Sequence, residues 1–249
     1  MPFLTARWER LILANYPVAP SVLEPFRPRG TTIDRHHGVA YVSLVAFLFL
    51  DTRVLGVPVP GHRNFEEVNL RFYVTPNHAP EQRAVTFLRE IVPRSVIPWV
   101  ANSLFAENYV AMPMSHSIAG SEFAIGWTVP KRASYLREDQ TPRYPSARVA
   151  VTVDAPLSLP APGSAAEFIT EHYWGYAKSP LGTLEYRVRH PTWRSCELTQ
   201  YHIKVDFEQH YGQAFAFLND MQPEHVLYAE GSPVSVSFPS LKRWRDRTG

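Results

Sequence analysis

The chain has 249 residues, 45% of them hydrophobic and 13% aromatic, so it is long and apolar enough to bury a large core and is not a disordered chain. Its 25 basic and 23 acidic residues leave a formal charge of +2, too near neutral for the clustered basic face of a nucleic-acid binder. A single cysteine, Cys196, excludes an internal disulfide and suits a reducing compartment.

Twenty-three prolines suit many strands joined by stiff turns. Met1 to Leu13 carries Arg7, Glu9 and Arg10 within its apolar stretch, so no secretory signal is read there and a cytoplasmic location is expected. Phe3 to Tyr16 fits either a strand or a short helix. Ser21 to Phe26 reads as one helical turn before a loop at Arg29-Gly30. Val39 to Leu50 is the longest apolar run, broken only by Ser43. It is too short to cross a bilayer and is expected to be a buried strand, from Gly38 to Leu50, so no membrane partner is expected. Gly56 to Gly61, with Pro58 and Pro60, marks a turn.

Glu66 to Thr75 has the clearest period of two in the chain. Val68, Leu70, Phe72 and Val74 share one face, and Glu67, Asn69, Arg71 and Tyr73 the other. Val85 to Ile91 is expected to pair with it. Arg94 to Asn108 has apolar residues at helical spacing. Strands follow at Tyr109–Ser117, Glu122–Pro130 and Arg148–Val153, with Ala119-Gly120-Ser121 as a hairpin turn. Ala155 to Gly163 is a proline-rich connection. Ser164-Ala165-Ala166-Glu167 then has the spacing of a helix cap, with Glu three residues after Ser. Thr183–His190 and Leu198–Phe207 read as strands, Gln209–Asn219 as a helix, and His225–Ala229 and Val234–Phe238 as final strands. The basic run from Lys242 to Arg247 is expected to lie in a solvated tail, frayed from about residue 240 to 249.

About ten strands, three or four short helices and no strand–helix–strand rhythm predict a mainly β domain spanning residues 1–249. Its expected form is an antiparallel, closed or nearly closed barrel with the helices packed outside.

Three stretches carry a family resemblance. They are Gly38-Val39-Ala40-Tyr41-Val42-Ser43-Leu44-Val45 with Asp51-Thr52-Arg53-Val54, then Phe65 to Val74, then Thr170-Glu171-His172-Tyr173 with His190-Pro191 and Trp193. Together they resemble the YqjF-like family of unknown function, grouped with the acetoacetate decarboxylase-like fold; His172 stands where that family usually has arginine. The resemblance implies an antiparallel barrel with a central cavity. It places Glu67-Val68 at the pocket glutamate of the decarboxylases. It places their imine-forming lysine near Val110 to Met112, where this chain has none. The four lysines are Lys131, Lys178, Lys204 and Lys242, so Schiff-base decarboxylation is disfavoured.

Two sets of residues are candidate ligand contacts. Glu67, Asn69, Arg71 and Tyr73 lie about 7 Å apart in succession along one strand face, given a rise of ~3.3 Å per residue. They line either a pocket or a solvated outer face. Tyr109, Met112 and His116 belong to a Met and aromatic segment that suits an apolar ligand or ordinary core. The ten histidines show no zinc-like spacing, and no phosphate loop, dinucleotide glycine pattern or nucleophile elbow occurs, so no metal and no cofactor are expected. The expected partner is a small-molecule ligand, an organic acid or apolar metabolite, with the protein a monomer or homodimer. The alternative is a lysine-independent acid–base enzyme, of lyase or hydrolase type, on a carbonyl or hydroxy-acid substrate.

Overall fold

The structure is a computed structural model that describes residues 1–59, 61–93, 105, 108–129 and 146–244. Its frame is four long strands: β1 (Leu4–Val18), β3 (Ala40–Val54), β5 (Phe65–Pro76) and β15 (His225–Val236). β1 is thus a strand, not a helix, and β15 runs unbroken through the segment between the two strands expected there.

The backbone pairing closes on itself. The order is β15-β1-β3-β5-β6-β11-β12, with β6 (Ala84–Val92), β11 (Trp174–Ser179) and β12 (Gly182–Arg189), and β12 returns to pair with β15 through Val188↔Val236 and Arg189↔Ser235. The ring is antiparallel except between β6 and β11, which run parallel through Trp174↔Ala84 and Gly175↔Val85. Short strands extend it: β2 (Thr31–Ile33) on β5, β4 (Val57–Pro58) on β3, β7 (Tyr109–Ala111) parallel to β6, and β13 (Ser195–Glu197) on β15. β16 (Ser240–Lys242) pairs with β12, and the Trp244 ring lies 5.5 Å from that of Tyr176. Residues 240–244 are therefore held, against the expectation of fraying; residues 245–249 lie outside the described residues. β11 had no counterpart in the sequence reading, since Trp-Gly-Tyr-Ala-Lys-Ser shows no clean alternation.

A second, four-stranded antiparallel sheet has the order β14-β10-β9-β8, with β8 (Met114–Ala119), β9 (Glu122–Trp127), β10 (Ala147–Thr152) and β14 (Tyr201–Lys204). Phe123, Ile125 and Trp127 alternate toward the outer face of the ring. They share one core with Val42, Leu44, Ala46, Val68, Leu70 and Phe72. Inside the ring lies a second core, with Leu11, Leu13, Val45, Phe47, Phe49 and Tyr73. β3 from Ala40 to Phe49 and β1 from Leu11 to Tyr16 are buried on both faces, which is why Val39 to Leu50 reads as a near-continuous apolar run.

The helices are short. α1 (Pro20–Leu23) continues into a 3-10 turn, as the reading from Ser21 to Phe26 expects. α3 (Phe207–Tyr211) is capped by Asp206, whose side chain accepts from the Gln209 amide at 2.9 Å, so the expected strand to Phe207 stops at Lys204. Gly212, at φ +98°, breaks the expected helix from Gln209, and a 3-10 segment, Gln213–Asp220, follows. Phe207, Tyr211, Phe215 and Leu218 pack on the outer core. α2 (Ala165–Thr170) behaves differently: its Phe168 and Ile169 join the inner core, so it covers one end of the ring. Its cap is the expected one. Ser164 Oγ accepts from the Glu167 amide at 3.2 Å, and Glu167 Oε2 accepts from the Gly163 amide at 2.7 Å. The expected helix from Arg94 to Asn108 falls almost wholly outside the described residues.

Candidate functional site

The ring encloses a cavity of about 160 Å³. β5 supplies its polar side. Because Val68, Leu70 and Phe72 face the second sheet, alternation turns Glu67, Asn69 and Arg71 inward, and all three line the cavity. The rest of the wall is mostly apolar, much of it aromatic: Trp8 from β1, Phe47 and Phe49 from β3, Phe87 from β6 and Tyr186 from β12. The Trp8 ring meets those of Phe47 and Phe49 edge-on at 5.2 and 5.6 Å, and Phe49 stacks on Phe65 at 4.8 Å. Gly175 of β11 makes room for Tyr186 on the neighbouring strand, since a Cβ there would lie 2.1 Å from its ring.

Glu67 is fully buried. Asn69 Nδ2 donates to its Oε1 at 2.9 Å, and the Tyr109 hydroxyl also hydrogen-bonds to it. Burial pushes the Glu67 carboxyl up to about 7, a rise that Asn69, the Arg71 charge and Tyr109 only partly offset. Arg71 Nη2 donates to the Ile169 carbonyl of α2 at 3.2 Å. Two polar atoms of this group, Asn69 Oδ1 and Arg71 Nε, are buried with no hydrogen-bond partner among the described residues. Native proteins keep such orphans rare, and a site for a ligand is one reason to keep them.

The candidate residues divide as follows. Glu67, Asn69, Arg71 and Tyr109 come together in the cavity. Tyr73 faces inward too but lies beyond Arg71, toward α2. Ser43 Oγ donates to Asn15 Oδ1 at 2.5 Å, so at 2.6 Å the Tyr73 hydroxyl is the donor to Ser43. Tyr73 is thus a tied core residue and not a cavity contact. Met112 is buried in the core between ring and second sheet. His116 stands on an exposed strand with its Nδ1 2.6 Å from Glu66 Oε1. The expected single strand from Tyr109 to Ser117 is broken at Met112-Pro113 into β7, in the ring, and β8, in the second sheet. That break takes His116 away from Tyr109.

Glu90, Phe87, Trp8, Phe47, Phe49 and Tyr186 were not singled out by the sequence. Phe47 and Phe49 lie on β3, which is apolar on both faces there, so alternation gives no inside; on β12 and the first half of β1 alternation marks a buried face without marking a cavity. Three of the lysines are far from the cavity: Lys178 Nζ donates to the Pro25 carbonyl at 2.8 Å, Lys242 Nζ pairs with Glu185 at 3.0 Å, and Lys204 is exposed on the second sheet. Lys131 lies outside the described residues. Among the described residues no cluster of three or more His, Cys, Asp or Glu could hold a metal ion, and no helix is long and apolar enough to cross a membrane.

A second buried polar group sits under α2. His172 is fully buried, with its ring 4.5 Å from that of Tyr73, and its Nε2 is 3.9 Å from Asp34 Oδ2. Burial, with the Arg71 and Arg83 charges adding, holds the His172 imidazole well below its usual range.

A family model described as an uncharacterized conserved protein, DUF2071, matches residues 5–233. The chain is 38% identical over 69 residues to the uncharacterized protein YqjF of Bacillus subtilis (strain 168), a match that covers 27% of this chain and 28% of that one. The fold is similar to acetoacetate decarboxylase from Legionella pneumophila, with a TM-score of 0.65 at 7% identity over 97% of this chain and 87% of that one. It is similar to the enduracididine biosynthesis enzyme MppR with HEPES buffer bound, with a TM-score of 0.63 at 12% identity over 98% and 89%. It is also similar to an acetoacetate decarboxylase-like enzyme from Sphingomonas wittichii RW1, with a TM-score of 0.62 at 10% identity over 97% and 94%. At such identities the likeness is one of fold, and activity belongs to the site.

Proposed function

The chain belongs to the DUF2071 family of uncharacterized conserved proteins, and on that premise we propose that it binds a small organic acid, noncovalently, in the ring cavity. The observation that carries this reading is an apolar, largely aromatic chamber with one polar wall, on which the Arg71 guanidinium keeps a buried donor with no partner among the described residues. A planar guanidinium suits a carboxyl group, and the aromatic walls suit an apolar body. The volume limits that body: a cavity of ~150 Å³ takes a molecule of benzene size. The three described lysines lie away from the cavity, so imine formation with them does not enter the reading.

The test is calorimetric titration with a graded set of monocarboxylates, isobutyrate and benzoate among them, and larger acids as controls. Binding should fade once the body outgrows the chamber. Arg71→Met should weaken the small acids by ~10- to 100-fold, the worth of a hydrogen bond to a charged group. Equal affinity in the variant, or no binding by any acid in the parent, overturns the reading.

One observation favours a second reading, an acid–base enzyme of lyase or hydrolase type. A buried carboxyl poised near neutrality beside an arginine and a tyrosine is how such catalysts are built. Turnover of carbonyl or hydroxy acids, lost in Glu67→Gln while binding persists, supports it; binding with no turnover leaves the binder.

A further inference from the structure

We propose that the cavity takes up its acid together with a proton, so that one ligand carboxyl and Glu67 share a single proton beside Arg71. The inference rests on the binding reading above and adds the protonation state of what is bound.

Charge is the first argument. Among the described residues, the ionisable groups that line the cavity with Glu67 are Arg71 on its own strand, Glu90 from β6, Tyr109 from β7, Tyr186 from β12 and His62 from the segment after β4. β1, β3 and β15 contribute no ionisable side chain to the wall. Arg71 and an ionised Glu67 already balance. A ligand carboxylate would add a second negative charge to that pair, in a chamber walled mainly by apolar side chains. Two carboxylates confined together do not both stay ionised; one keeps a proton. One proton cancels the charge that the ligand brings: Arg71 positive, one carboxylate, one neutral acid.

Hydrogen bonding is the second argument, independent of the first. Among the described residues the polar wall offers a donor without a partner, Arg71 Nε, and an acceptor without one, Asn69 Oδ1, two residues apart on one strand face. Asn69 Nδ2 is engaged by Glu67, which fixes the amide with Oδ1 turned away from that carboxyl. A carboxylate has only acceptors, so it meets the donor and leaves Oδ1 opposed. A carboxylic acid has one of each: its carbonyl accepts from Arg71 and its hydroxyl donates to Asn69. A bare anion cannot satisfy both orphans at once. The Glu67 carboxyl, raised by burial to about 7, is placed to exchange that proton near neutrality.

The proton comes from the buffer, which makes it countable. Benzoate is titrated at about pH 8.5 and at about pH 5.5, each in two buffers of different ionisation enthalpy. The dependence of the measured heat on the buffer gives the protons taken up per ligand. The expected result is one proton at the higher pH, where free Glu67 is ionised, and none at the lower, where it already carries the proton. Affinity should then fall tenfold per pH unit above about 7 and level off below it. Benzamide, which is neutral and carries both a donor and an acceptor, should bind with no proton uptake at either pH. Glu67→Gln should lose the step in affinity near pH 7, which belongs to free Glu67. The wild-type titrations decide the matter even if that variant fails to fold. Benzoate bound at the higher pH with no proton uptake overturns the inference and leaves the binding reading standing. No benzoate bound at any pH overturns both.

Discussion

Two buried residues set opposite pH dependences. Glu67 has its folded-state pKa raised to about 7 by burial. Its contribution to stability is fully present below the ordinary carboxylate range and is lost as pH rises through about 7, because the folded state then holds a buried charge. Glu67→Gln should therefore melt higher than the parent above pH 8, by roughly 1–3 kcal/mol, and converge with it below pH 5. His172 works the other way. Its imidazole is held neutral by burial and by Arg71 and Arg83, so its contribution is present above the ordinary imidazole range and fades as the pH falls below it. His172→Leu should flatten the acid side of the stability curve, read by denaturant unfolding between about pH 7 and 5. An unchanged acid limb would assign that loss to other groups. Glu67, Asn69 and Arg71 were legible because polar and apolar residues alternate cleanly along β5, and the polar ones face the cavity. Met112 and His116 were not, because nothing in Tyr109 to Ser117 except Pro113 announces that the segment changes sheets.

At the level of the strand, the inward face changes parity partway along. On β1, Leu4, Ala6 and Trp8 pack inward, and then Leu11 and Leu13 do. Arg10, at φ +57°, is the extra residue that makes the switch. On β3, Phe47 and Phe49 line the cavity, and then Thr52 and Val54, with Asp51 at φ +52° between them. On β6, Phe87 and then Glu90 face in, where the register with β5 slips between Leu70 and Arg71. A period-two reading cannot follow a strand through such a slip, which is why Glu90 and the aromatic wall stayed hidden while the strands themselves were found. Deleting Arg10 should turn Leu4, Ala6 and Trp8 outward, so loss of benzoate binding with retained β-sheet circular dichroism is expected. Gly231 completes the device on β15. It sits at φ +83°, opposite Glu9, and a Cβ there would lie 2.0 Å from the Trp8 carbonyl oxygen. Because that clash is with backbone, Gly231→Ala should destabilise by roughly 2–4 kcal/mol in chemical denaturation. A loss below about 0.5 kcal/mol, the range of a neutral surface change, would mean that the bulge relaxes freely.

Across the whole molecule, the mainly β class, its ring closure and the likeness to acetoacetate decarboxylase-like folds were all accessible from strand count and three stretches of resemblance. The division into a ring and a second sheet was not, because both cores draw on the same apolar strands. The ring is unevenly sealed. β1 pairs with β3 and β15 along most of its length, whereas β6–β11 and β12–β15 each meet at two register positions. Hydrogen exchange should find the amides of those two short seams opening before those of β1 and β3, and bound benzoate should slow them.

The pairing of β1 with β15, residue 4 against residue 236, also sets a timetable for the growing chain. β1 can meet β3 as soon as residue 54 has been made, but its other edge has no partner until residues 225–236 emerge. At 5–20 residues per second that wait is roughly 10–40 s. For all of it, the strand that carries Trp8, Leu11 and Leu13 presents an open, apolar edge of the kind that templates aggregation. A nascent chain stalled before residue 225 should therefore recruit holdase chaperones, and adding the last strand should release them.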